Sequence, residues 1–165
     1  MERMAASART TLNEARRWLR ERLRQPGAVA CPCCEQIAKV YKRPLNGAMA
    51  TFLIRAYRVN GQEFFHVPTF NGEDRVTQRA MGVSGYYSML RYWGFIEEEP
   101  TRRPDGGRAG WWRVTDAGAA FVRMETSVQK YILLYDSRLL GFEGEEVMLP
   151  DVLGRRFNYN ELMAS

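Results

Sequence analysis

The sequence predicts an α+β fold, and three observations carry that expectation. Apolar residues recur at helical spacing in three stretches, 11–25, 46–58 and 83–93. Between 95 and 115, two short apolar runs flank a segment rich in glycine and proline, the pattern of a hairpin. Apolar residues are 45% and charged residues 26% of a 165-residue chain, a composition that buries a core.

Thr11-Leu12-Asn13-Glu14 has the Thr-x-x-Glu spacing of a capping box, in which each side chain satisfies a backbone N–H left open at the helix start. Leu12, Ala15, Leu19 and Leu23 follow on one face with Trp18 beside them, and Pro26-Gly27 stops the run. The other face carries Arg16, Arg20 and Arg24 at intervals of four. Like charges on one stripe repel slightly, so the stripe points to an anionic partner, with a plainly solvated face as the alternative. Residues 31–43 read as a tight turn and a short extended segment. A second helix is expected over 46–58, with Met49, Phe52, Leu53, Ala56 and Tyr57 on one face and Asn60-Gly61 ending it. Glu63–Val67 reads as a short strand, and 71–81 has a weak helical pattern.

From Val83 the signal strengthens. At 100° per residue, Val83, Tyr86, Leu90 and Trp93 fall in one sector, while Ser84, Ser88, Arg91 and Tyr92 point the other way. Gly94 ends that helix and Phe95-Ile96 begins a strand. Residues 100–110 form a turn-rich tip, Trp111–Val114 returns as a strand, and Thr115-Asp116 caps another helix. Trp93, Trp111, Trp112, Tyr86 and Phe121 are expected in the core. Tyr131–Tyr135 is a further strand, Glu143, Glu145 and Glu146 read as a solvated loop cluster, and short helices are expected around Asp151 and Asn160.

The run Leu90-Arg91-Tyr92-Trp93-Gly94-Phe95-Ile96, followed by Trp112-Arg113-Val114-Thr115-Asp116-Ala117-Gly118, resembles winged helix-turn-helix proteins of the bacterial transcription-regulator type. The resemblance covers roughly residues 45–125. More loosely, the whole chain looks like small bacteriophage-encoded proteins of no assigned activity. The resemblance implies a winged helix-turn-helix core, with an N-terminal amphipathic helix and a small C-terminal strand/helix extension added. The expected division is 1–30, 31–125 and 126–165. It further implies binding to double-stranded DNA, as expected of a phage or mobile-element regulator. Ser84, Ser88, Arg91 and Tyr92 would then meet base edges in the major groove, while Arg102, Arg103 and Arg108 at the hairpin tip would meet phosphates. Arg16, Arg20 and Arg24 form a secondary basic face. The acidic run Glu97-Glu98-Glu99 would oppose phosphate if it faced the groove. The alternative function is a winged-helix protein–protein module acting on a host or replication complex, and a homodimer is compatible with either.

Cys31-Pro32-Cys33-Cys34 resembles the knuckle of zinc ribbons. Cys31 and Cys34 have the ligand spacing, Cys33 is an additional candidate, and His66, the single histidine, could be a third ligand to one zinc ion. A cysteine-rich turn with buried thiols is the other account. Three crowded cysteines make a poor disulfide framework.

Charge is uneven. Residues 1–58 carry 12 Lys/Arg against 4 Asp/Glu, 59–115 carry 7 against 7, and 116–165 carry 5 against 8. A basic first third suits phosphate, an anionic surface or an acidic partner. No phosphate-cradling loop is present, and one histidine excludes most acid–base designs that use two, so no catalytic residue is expected. No apolar run approaches the roughly 18 residues a membrane span needs. Met1–Thr10 lacks the apolar block of a secretory leader, and the cytoplasm, of the host if phage-encoded, is the expected compartment.

Overall fold

The computed structural model describes residues 9–70, 86–100, 110–154 and 158–164. The fold is mixed α+β, in two compact units: Met1–Arg43 with Ile132–Phe142, and Pro44–Tyr131 with Glu143–Ser165. This differs from the expected division at 30 and 125, because Ile132–Phe142 returns to the unit that holds the N-terminal helix.

In the first unit, α1 spans Leu12–Arg22. The expected capping box is present: the Glu14 N–H donates to Thr11 Oγ1 at 3.3 Å, and the Thr11 N–H donates to Glu14 Oε2 at 2.7 Å. That backbone N–H, together with the Thr11 hydroxyl, holds the Glu14 carboxyl below its usual pKa. Ala15, Leu19 and Leu23 are buried as expected, but Leu12 is 53% exposed. Strand β1 (Ala28–Ala30) pairs antiparallel with β2 (Ile37–Lys39), placing Val29 opposite Ala38. Leu19, Leu23, Val29 and Ala38 make a small core, with Trp18, Cys31, Val40 and Tyr135 against it.

Strands β3 (Tyr41–Pro44), β7 (Val128–Tyr135) and β8 (Arg138–Val147) form a sheet in the order β3-β7-β8. Asp136 and Ser137 join β7 to β8, both with positive φ, +49° and +58°. Such backbone in a two-residue connection matches the twist of the strands it links. The β8 strand corrects the expectation of a loop at Glu143, Glu145 and Glu146. Only Val147 along it is buried, so its sequence has no alternation of apolar and polar residues to read.

In the second unit, α2 (Gly47–Asn60) is capped by Asn46, whose side chain accepts from the Met49 N–H at 3.0 Å. Met49, Ala50, Thr51, Phe52, Leu53, Ile54 and Ala56 are all buried, which makes α2 the central element of this unit rather than an amphipathic surface helix. Strand β4 is Phe65–His66, shorter than the expected 63–67, because Val67 already begins the short helix α3 (Val67–Phe70). A 3₁₀ helix covers Tyr87–Trp93. Strand β5 (Ile96–Glu98) pairs antiparallel with β6 (Trp111–Val114), with Ile96 opposite Val114 and Glu98 opposite Trp112. Strand β4 takes the other edge of β6, giving the order β4-β6-β5. Helices α4 (Asp116–Val122), α5 (Leu149–Leu153) and α6 (Tyr159–Ala164) complete the chain.

The 3₁₀ geometry corrects the expected sector. With three residues per turn, positions 87, 90 and 93 share a face, whereas 100° per residue had selected 86. Leu90 and Trp93 are buried as expected. Tyr86 is 56% exposed, and Tyr87 turns inward to stack on Phe52 at 5.0 Å. Burial raises the Tyr87 phenol above its ordinary pKa. Phe52 also meets Phe65 and Phe70, and Phe95 stacks on Phe121 at 4.5 Å.

Candidate nucleic-acid interface

The corner between the 3₁₀ helix and the hairpin is fixed by three residues from the sequence motif. Gly94 takes φ +73°, its N–H reaches the Arg91 carbonyl at 2.9 Å, and the Phe95 N–H reaches the Leu90 carbonyl at 3.1 Å. This paired closure satisfies the last carbonyls of the helix and aims the chain into β5. The Thr115 hydroxyl accepts from the Gly118 N–H at 3.1 Å, capping α4, and donates to the Gly94 carbonyl. At Gly118, a Cβ would lie 2.2 Å from the Phe95 carbonyl oxygen, so no side chain fits. The Gly-Phe-Ile and Thr-x-x-Gly pieces therefore hold each other.

On this frame Arg91 is exposed, while Ser88 and Tyr92 are half-buried. The Arg91 guanidinium lies over the Tyr92 ring at 4.9 Å and its Nη2 donates to the Tyr92 hydroxyl at 3.0 Å. Arg91 and Tyr92 thus present one joint surface, where the sequence suggested two independent groups. Among the expected groove contacts, Ser84, Arg102, Arg103 and Arg108 lie outside the described residues, as does the 71–81 segment. Glu97 stands opposite Arg113 across the hairpin and forms an ion pair with it, which removes one of the three carboxylates from opposition to phosphate.

Sequence reasoning missed Arg55. It sits in the otherwise apolar run Phe52–Ala56, half-buried, with its guanidinium 5.3 Å over the Phe70 ring and its pKa lowered by burial. A lone arginine within such a run was the available signal.

In the first unit, Arg16 and Arg20 are exposed on α1 as expected, and Arg24 is exposed in the turn just after it. With Asn13, Arg17 and Glu21 they line a shallow groove of about 410 Å³ on the helix.

Cys31, Cys33 and Cys34 are free thiols in the turn between β1 and β2, Cys31 half-buried and the others exposed. The turn is closed by the Cys31 N–H to the Gln36 carbonyl at 2.8 Å and the Glu35 N–H to the Cys31 carbonyl at 2.9 Å. Backbone N–H groups of Cys33 and Cys34 on the Cys31 sulfur lower that thiol's pKa, whereas slight desolvation and the neighbouring Cys31 raise that of Cys33. N–H groups aimed at the first sulfur are what a thiolate ligand uses, and Cys34 stands at the Cys-x-x-Cys spacing from it. His66 lies in the second unit, its Nδ1 2.8 Å from the Thr69 hydroxyl and its ring 5.3 Å from Trp111. Among the described residues, no group of three or more His, Cys, Asp or Glu side chains is arranged around a metal position. No helix among them is long and apolar enough to cross a membrane.

No family model, curated protein or solved structure matches the chain.

Proposed function

We propose that the Pro44–Tyr131 part of the second unit is a winged helix-turn-helix module that binds double-stranded DNA. The observation that carries this reading is the order of elements around one corner. A short helix ends at a left-handed glycine and enters the edge strand of a β4-β6-β5 sheet. The hairpin returns to a capped helix locked to the same corner by Thr115 and Gly118. A major groove about 12 Å wide admits a helix at such a corner, and a hairpin beside it has reach to the backbone. Arg91 braced on Tyr92 is a planar, pre-oriented donor, the geometry that suits guanine O6 and N7. The Glu97–Arg113 pair supports the reading by neutralising charge at the base of the hairpin.

Selection of preferred sites from a random duplex pool tests it. Arg91→Ala is expected to weaken the selected site by about tenfold to a hundredfold and random duplex much less. Tyr92→Phe, which removes the hydroxyl that orients Arg91, is expected to give a smaller loss of the same kind. Unchanged sequence preference in both variants would leave the corner as a protein-binding surface.

A further inference from the structure

A second surface, contained wholly in the first unit, differs in chemistry from the corner around Arg91. Helix α1 and the β7–β8 turn region enclose an open groove of about 910 Å³. Leu19 of α1, Leu23 just after it, Val40, Leu133 and Tyr135 of β7, and Leu140 of β8 make its apolar walls. Strand alternation explains the apolar floor: Ile132 and Leu134 are buried on one face of β7, and Leu133 and Tyr135 fall on the other. Leu140 is 54% exposed, an apolar side chain left to solvent beside the groove.

The rim is basic. Arg16 and Arg20 lie about 6 Å apart along α1 at 1.5 Å per residue, Arg24 follows in the turn after the helix, and Arg138 adds a fourth guanidinium from β8. Asp136 is the single carboxylate on the lining. None of the ion pairs among the described residues engages Arg20, Arg24 or Arg138.

We propose that this groove receives an acidic amphipathic helix of a partner protein. An apolar lane between arginines on α1 and an arginine on β8 is complementary to a helix whose apolar stripe is edged by carboxylates. Three guanidiniums along one edge match charges repeated along a helix rather than the single charge of a small anion. A duplex backbone fits less well, because phosphates laid over Leu133 and Leu140 would lose water and gain no hydrogen-bond partner there. The interaction is independent of the DNA reading, since it uses a different unit and different residues.

The test is fluorescence anisotropy of the full chain with a labelled synthetic peptide of about five helical turns, leucines on one stripe and glutamates along its edges. A scrambled peptide of the same composition and a random-sequence duplex are measured alongside. The ordered peptide is expected to bind at least about tenfold more tightly than the scrambled one. Arg20→Glu/Arg24→Glu and, separately, Leu140→Ser should each weaken it by about tenfold. Circular dichroism checks that the variants stay folded, and Arg20→Gln/Arg24→Gln provides a milder change if the reversal unfolds α1. Equal binding of ordered and scrambled peptides overturns the proposal. So does a charge reversal that weakens the duplex and leaves the peptide untouched, which would make the stripe a phosphate contact. Weakened binding of the selected duplex site through Arg91→Ala with peptide binding intact separates this proposal from the DNA reading.

Discussion

The two units of the chain bury very different material. In the second, Phe52, Phe95, Phe121, Leu53, Ile54, Leu90 and Ile96 are almost wholly enclosed, and aromatic rings contact one another from α2 to the hairpin. The small core around α1 in the first is Leu19, Leu23, Val29 and Ala38, and its outer face is a row of arginines. Close-packed rings fix a backbone to tenths of an ångström, which an oriented arginine needs. An apolar lane with a charged rim tolerates change in its own rim and serves recognition. Substitutions in the packed core of the second unit should therefore be felt as stability, and those on the exposed face of α1 as binding.

The harshest test of that contrast is Gly118→Ala. With backbone 2.2 Å from the new Cβ, α4 must move off Phe95, and a loss of about 4 kcal/mol or outright unfolding is expected in urea titration. An unchanged midpoint would mean that the corner is not locked. Phe121→Ala removes the ring stacked on Phe95 and should cost about 3–4 kcal/mol. Leu23→Ala in the smaller core should cost about 2 kcal/mol, and equal costs for the two would erase the distinction between the units. Thr115→Ala removes both the cap on α4 and the bond to the Gly94 carbonyl, with an expected loss of about 1–2 kcal/mol by thermal melting. Thr115→Ser should recover most of it. Arg113→Gln breaks an exposed pair and should cost under about 1 kcal/mol. Elemental analysis addresses the thiol turn separately. A zinc-loaded knuckle predicts about one zinc per chain when no chelator is used, lost in Cys31→Ser. Metal-free protein would leave a turn held by its backbone bonds alone.

What could be read from the sequence follows from where periodicity and short-range chemistry decide structure. Thr11 and Glu14, Asn46, Gly94, and the pairing of Ile96–Glu98 with Trp112–Val114 were all legible, because each is set by neighbours within a few residues or by an unambiguous turn. Tyr86 and Tyr87 exchanged roles because an assumed 3.6-residue repeat was replaced by a three-residue one. Strand β8 was invisible: Arg138, Gly141, Glu143, Gly144, Glu145 and Glu146 give no alternation when nearly every side chain stays at the surface. Of the candidate sites, the α1 stripe was legible from its four-residue spacing. Its combination with Leu133, Arg138 and Leu140 was not, since strands more than 100 residues away in the chain supply them. The bracing of Arg91 by Tyr92 was missed because adjacent residues on a regular helix do not face each other, and in this tighter turn their tips meet.

Binding of duplex DNA through phosphates and an oriented arginine is the proposed function. A salt series on random-sequence duplex tests it most directly, with the logarithm of the association constant plotted against the logarithm of salt concentration. Counterion release predicts a straight line of negative slope, about 0.9 per phosphate contacted. Replacing Arg102 and Arg103 by alanine should make the slope shallower by about two units, and Arg91→Ala on random duplex should change it by about one unit or less. No association at low salt, or binding indifferent to salt, would mean that the chain does not bind duplex DNA through its phosphates.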